Sequence, residues 1–248
     1  MNPDLQGKAA LVTGAARRVG AEIARRLHAA GADVVIHYRG SGADAAKLEE
    51  ELSALRPRSA HRVKADLLAP IAPRALVEAA LAQFRRLDIL VNNASAFYPT
   101  PVGGIEATHW EELIGSNLRA PLFLAQEAAP HLAKQAGCIV NIVDIHAERP
   151  LKGYAVYSVA KAGLAGLTRS LALELAPSVR VNAVAPGAIA WPEDGQFEPA
   201  ERARIVATTP LARVGEPEAI ARAVHFLATA PFVTGQVLAV DGGRSVFL

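Results

Sequence analysis

The chain of 248 residues contains one cysteine, so no disulfide can form within it and a small stapled scaffold is excluded. That residue, Cys138, lies in the apolar run GCIVNIV, where a free thiol behaves as a small hydrophobe and suits a reducing compartment. No apolar run reaches the length of a membrane span, and the stretch MNPDLQGKAALVTG carries no basic-then-apolar leader; a cytoplasmic protein without a membrane partner is expected. Charge of one sign is missing too. With 26 basic against 24 acidic side chains the formal net charge is +2, and no polybasic arm suggests a nucleic-acid partner. There is no internal repeat, no linker rich in Pro, Gly or Ser, and no expected metal site, so the chain reads as one domain over residues 1–248. A single domain of this size buries roughly three quarters of its unfolded surface and needs no staples.

What is present is a regular alternation. Seven short runs rich in β-branched residues, KAALVT, ADVVIHY, RVKAD, LDILVNNA, GCIVNIVD, VRVNAVAP and QVLAVDGG, are separated by segments of helical period. Those segments are VGAEIARRLHAAG, ADAAKLEEELSAL, APRALVEAALAQFRR, the stretch from His109 to Lys134, YAVYSVAKAGLAGLTRSLALELA and PEAIARAVHFLAT. Strands apolar on both faces, alternating with helices, predict an α/β fold: a doubly wound, Rossmann-type parallel sheet of seven strands flanked by helices. The least regular piece, residues 186–202 (PGAIAWPEDGQFEPAER), is expected to be a loop at the substrate side, where Trp191, Glu193 and Gln196 either line a site or face solvent.

TGAARRVG, residues 13–20, follows the first strand and opens the first helix. In that position backbone N–H groups and the positive helix end can face a pyrophosphate. Its sixth place is Arg18, where such loops ordinarily carry glycine. The second strand ends IHYRGS, with His37, Tyr38, Arg39 and Ser41 and no carboxylate. A carboxylate there would bind a free ribose 2′-hydroxyl and repel a phosphate, whereas donors and a fixed cation suit a 2′-phosphate, so NADPH is the expected cofactor. Tyr157 and Lys161 stand four apart on one helical face, where an ammonium is expected to lower the phenol's pKa and ease proton exchange. NNAS, Asn92 to Ser95, sits at the carboxyl end of the fourth strand, where doubly wound sheets bind ligands.

Over its whole length the chain resembles the short-chain dehydrogenase/reductase family: the glycine loop, Asp66 after the third strand, NNA, Asn117, YxxxK and the Pro186-Gly187 turn occur in order. The resemblance implies that Tyr157 donates a proton, that Lys161 also holds the nicotinamide ribose, and that Asn117 anchors a water relay. It implies cofactor contacts from Gly14, Arg18, Val19, His37, Tyr38, Arg39, Ser41, Asp66, Leu67, Asn93, Ala94, Ser95, Tyr157, Lys161, Pro186, Gly187 and Ile189, and a homotetramer built on the helix that carries YxxxK.

The family usually has a serine thirteen residues before the tyrosine; this chain has Asp144. A serine hydroxyl steadies a carbonyl oxygen, while a carboxyl group can take up and deliver a proton, which suits reduction of a C=N bond. The bland alternative is that Asp144 caps the following turn. Arg in the glycine loop, Asp for Ser, and an aromatic after NNA together resemble the family's pteridine reductase branch, and this chain supplies Arg18, Asp144 and NNASAFYPTP. The implied catalytic set is Asp144, Tyr157, Lys161 and Asn117. The implied substrate set is Arg18, Ser95, Phe97, Asp144 and Tyr157, with Phe97 stacking on a pterin or folate ring. Two alternatives stand beside it: a carbonyl reductase of the same fold, for a 3-oxoacyl or sugar substrate, and an NADPH-binding sensor without turnover.

Overall fold

The computed structural model describes residues 4–191 and 197–247; Glu193 and Gln196 of the irregular stretch lie outside the described residues. Seven parallel strands form one sheet in the order β3-β2-β1-β4-β5-β6-β7. They are β1 (Ala9–Val12), β2 (Asp33–Tyr38), β3 (Ala60–Lys64), β4 (Ile89–Asn92), β5 (Cys138–Ile142), β6 (Arg180–Pro186) and β7 (Val237–Val240). The order reverses between β1 and β4, which opens a crevice at the carboxyl ends of those two strands.

Helices cover both faces. Ala10 and Val12 of β1 join a core with Ile23 and Leu27 of α1 (Arg18–Ala29), Leu48 and Leu52 of α2 (Gly42–Leu55) and Val224 and Leu227 of α8 (Pro217–Thr229). Leu11, between them in sequence, points the other way and packs with Leu76 of α3 (Ala72–Phe84), Leu124 of α5 (Ala120–Ala133) and Ala172 of α6 (Ala155–Glu174). This alternation of side chains along one strand requires a sheet buried on both sides. Cys138 belongs to the first core, and burial pushes its thiol up to about 11, so it stays protonated and inert.

Three expectations need correction. The stretch from His109 to Lys134 is not one helix: α4 (Ala107–Ile114) passes into a π-helical turn, Gly115–Arg119, before α5 begins. Not every strand is buried on both faces, since β3 (AHRVK) and β7 (VLAV) are sheet edges with partly exposed side chains. The irregular stretch ends earlier than expected, because α7 (Pro199–Ala207) starts with proline at its first turn, where the missing N–H costs nothing. A last short helix, α9 (Arg244–Phe247), follows β7.

Candidate active site

Two adjoining cavities of about 540 and 550 Å³ open along the carboxyl ends of the strands, and Arg17, Arg18, Val19, Asn93 and Ser95 line both. The first is built around the TGAARRVG turn. A Cβ on Gly20 would collide with the Gly14 carbonyl oxygen, and one on Gly14 would stand 2.9 Å from Ala94 Cα, so both positions require glycine for close packing. Asn93 holds the turn in place: its Nδ2 donates to the carbonyls of Thr13 (2.9 Å) and Gly14 (3.1 Å). Asn93 and Ala94 N–H groups in turn donate to Thr13 Oγ1.

Arg18 adopts φ +53°, the left-handed region that disfavours a side chain by about 1–2 kcal/mol. That backbone demand is the reason glycine fits this place. Here the guanidinium reaches across the crevice, and Nη2 donates to the carbonyls of Ala190 (3.0 Å) and Trp191 (3.4 Å). Arg18 thus ties the glycine turn to the segment after β6 while standing between the two cavities.

At the end of β2, Tyr38, Arg39 and Ser41 line the first cavity together with Asp66 and Leu67. Ser41 precedes α2 without capping it by its side chain, so its hydroxyl and the helix N-terminus remain available to an anion. Arg39 is exposed and lies 3.8 Å from Glu112 of α4. His37 is placed differently from the other three. Its Nδ1 accepts from Gly14 N–H at 3.1 Å and its Nε2 lies 3.2 Å from the Ala65 carbonyl. Burial pushes its pKa down to about 4, so the ring is neutral and Nε2–H donates to Ala65. Both nitrogens are occupied within the protein, and His37 contributes by pinning the turn rather than through a free donor.

The donor set of this first cavity fits a dinucleotide with a 2′-phosphate: a glycine turn at a helix start, an uncapped second helix start, Arg39, and no carboxylate at the end of β2.

The second cavity contains the candidate reacting groups. Tyr157 and Lys161 sit on one face of α6, with Lys161 Nζ 5.6 Å from the Tyr157 ring centroid. Tyr157 Oη donates to Asp144 Oδ2 at 2.7 Å. The other carboxylate oxygen, Oδ1, accepts from His146 N–H at 2.8 Å and caps the 3₁₀ turn Ile145–Ala147. The capping role and the role beside the tyrosine are therefore both real, one oxygen each. Lys161 is 2% exposed and donates to the Ile142 carbonyl at 2.9 Å. Burial lowers its pKa to about 8, against the opposing pull of Asp144.

The expectation that Lys161 lowers the tyrosine's pKa is overturned. Burial, then the negative charge of Asp144 and its hydrogen bond, hold Tyr157 well above the ordinary phenol value, with Ser95 pulling weakly the other way. Asn117 lies on the π-helical turn, a frequent mark of functional positions. Its Nδ2 donates to the carbonyls of Ala96 and Leu113, both at 3.0 Å, and its Oδ1 accepts from Ser95 Oγ at 2.7 Å. Its side chain therefore positions the segment after β4 that carries Ser95 and Phe97.

Phe97 is stacked on Tyr154 (centroids 4.7 Å, 15° between planes) and meets Tyr157 edge-on at 4.8 Å. Phe197 lies nearly parallel to it at 6.3 Å, and Trp191 is 5.9 Å from Phe197 with the Arg202 guanidinium over its ring. Pro186, Gly187 and Ile189 complete the wall at and after the end of β6. Sequence reasoning missed Phe197, Arg204 and Arg244 as lining residues, and Tyr154 as the ring that backs Phe97. An aromatic at 197 in an otherwise irregular acidic stretch was the only available signal.

A family model described as enoyl-(acyl carrier protein) reductase matches residues 14–245. The chain belongs to the short-chain dehydrogenase/reductase family. It is 42% identical to pteridine reductase 1 of Leishmania tarentolae, over 96% of each chain. It is 35% identical to the 3-oxoacyl-[acyl-carrier-protein] reductase FabG of Staphylococcus aureus, over 95% of this chain and 97% of that one. Among solved structures it resembles a blue fluorescent protein from a metagenomic library in complex with NADPH, at a TM-score of 0.91 and 38% identity, covering 97% and 99% of the two chains. Family membership makes the sheet, the glycine turn and the Tyr157–Lys161 pair parts of a nicotinamide-dependent oxidoreductase.

Proposed function

We propose that this reductase uses NADPH to reduce pteridines, carrying dihydropterin or dihydrofolate to the tetrahydro form and oxidised pterin to dihydropterin. The observation that carries the reading is the 2.7 Å bond from Tyr157 Oη to Asp144 Oδ2 inside the second cavity. Reducing C=N adds a hydride to carbon and a proton to nitrogen. When bound, the cofactor supplies the hydride. The protein's own part is the proton and the pose: Asp144 and Tyr157 form a hydrogen-bonded pair that holds a transferable proton at the edge of the cavity, with Lys161 one helical turn away. Arg18, at the junction of the cavities, and the Phe97 ring are placed to hold a flat, polar-edged substrate, with the aromatic wall excluding water. Residues 186–191 and 197–202 would then form its substrate side.

Exposed apolar side chains Val159 and Leu173 on α6 and Phe123 on α5 support the further reading that copies assemble through these helices into a homotetramer, which light scattering tests. The similarity to FabG keeps a 3-oxoacyl substrate as the competing reading. NADPH oxidation measured side by side with dihydrobiopterin, dihydrofolate, folate and a 3-oxoacyl ester decides between them. Turnover of the ester alone refutes the pteridine reading, and turnover of none favours a sensor.

A further inference from the structure

The cavity that contains Asp144 also takes in Arg204 of α7 and Arg244 of α9. Arg244 is 8% exposed. Its Nη1 donates to the Ile205 carbonyl at 3.0 Å and to Thr208 Oγ1, both neutral acceptors. Among the described residues no carboxylate lies within ion-pair distance of it, and its Nε and Nη2 make no hydrogen bond there. Arg244 lines the cavity, which puts these two donors within reach of a group bound there. The charge beside it has the same sign: burial and Arg204 together hold the Arg244 pKa below its ordinary value. Glu201 lines the same cavity 4.0 Å from Arg204, which offsets one of the two cations and leaves the buried one unanswered among the described residues. A guanidinium buried with no counter-charge is costly, and such cations are found paired.

We propose that Arg244, with Arg204 beside it, binds a carboxylate on the tail of the substrate, so that this enzyme is built for folate-type pterins rather than for pterins with neutral side chains. The inference rests on the pteridine reading and deepens it. The flat ring lies with Asp144 and Phe97, and the tail runs along the same cavity to the segment α7 and the start of α9. Planar carboxylates match the fork of a guanidinium, whose two free donors can take both oxygens.

The test compares kcat and KM for dihydrofolate and dihydrobiopterin in the full chain with NADPH, for the wild type, Arg204→Gln and Arg244→Met. The ratio of kcat/KM for dihydrofolate to that for dihydrobiopterin should fall by about tenfold or more in each variant, the size of one charge-assisted contact, through KM rather than kcat. Because Arg244 is buried, Arg204→Gln, at an exposed position, gives the result if Arg244→Met does not fold. A binding readout independent of turnover is thermal stabilisation by p-aminobenzoylglutamate, a carboxylate tail without a pterin. It should stabilise the wild type and lose its effect in the variants. Equal ratios in wild type and variants, or stabilisation that survives both substitutions, overturns the carboxylate site while leaving the pteridine reading standing. If the wild type reduces neither pterin, the pteridine reading itself fails and the substrate named here falls with it.

Discussion

Replacing Asp144 by serine probes both the chemistry and the electrostatics of the site. In the protein the carboxylate serves two donors at once, Tyr157 Oη at 2.7 Å and His146 N–H at 2.8 Å. Serine offers one oxygen on a shorter side chain and no second oxygen through which a proton can pass. If Asp144 helps deliver the proton to a ring nitrogen, pterin turnover should fall by about 10², or about 2.7 kcal/mol of barrier, the lower end of a general acid's contribution. Ketones, whose oxygen can take its proton from Tyr157 alone, should be reduced no more slowly than before.

The pH profile gives a second, independent sign. Lys161 lies at about 8, with burial lowering it and Asp144 raising it. Its protonated form is present below that value and is lost as pH rises through it, so the wild-type rate should fall above about pH 8. Removing the Asp144 charge lets Lys161 drop further and moves this alkaline limb to lower pH. Tyr157 should move in the same direction, since two of its upward causes disappear while burial remains. The apparent values belong to Lys161 and Tyr157 together. Steady-state NADPH oxidation with dihydrobiopterin across this range, in wild type and Asp144→Ser, measures both effects. Full pterin activity in the serine variant, or a limb that moves upward, refutes the reasoning.

Lys161→Met should raise stability while abolishing turnover. A folded-state pKa of about 8 against 10.5 corresponds to about 3 kcal/mol lost as pH falls from above 10.5 through 8, and stranding the Ile142 carbonyl returns about 1–2 kcal/mol of that. A net gain of about 1–2 kcal/mol near pH 7, turning into a loss of about 1 kcal/mol or more by pH 10.5, is expected in urea unfolding; a loss near pH 7 would count against it. Arg39→Asp should erode a preference for NADPH over NADH of about tenfold or more, read from kcat/KM with each cofactor, because it places a negative charge where the 2′-phosphate would sit. Arg18→Gly relieves a left-handed backbone at φ +53° worth about 1 kcal/mol, so the thermal midpoint should not drop, while the pterin KM rises and NADPH binding, followed by fluorescence, is largely kept.

The sequence by itself determined the seven strands, because β-branched runs bounded by turns are a local pattern. It also determined the proximity of Tyr157 and Lys161, because a four-residue spacing fixes a shared helical face. Asp144 was readable as the unusual member of the set from its type and spacing alone. Tertiary structure decided the rest. Whether the charge beside Tyr157 or its burial governs the phenol depends on how deeply α6 packs, and burial wins. His37 turns inward because the Gly14 N–H and the Ala65 carbonyl meet at its ring, two partners far from each other in the chain. The π turn at Asn117 falls inside a stretch that reads in sequence as one helical segment. Arg244 stands a hundred residues beyond Asp144, and only the return of the chain through β7 brings it to the same cavity as a buried cation with no ion-pair partner among the described residues. Local periodicity reports which face of an element is apolar; it carries no information about which distant side chains the folded sheet gathers at its carboxyl edge.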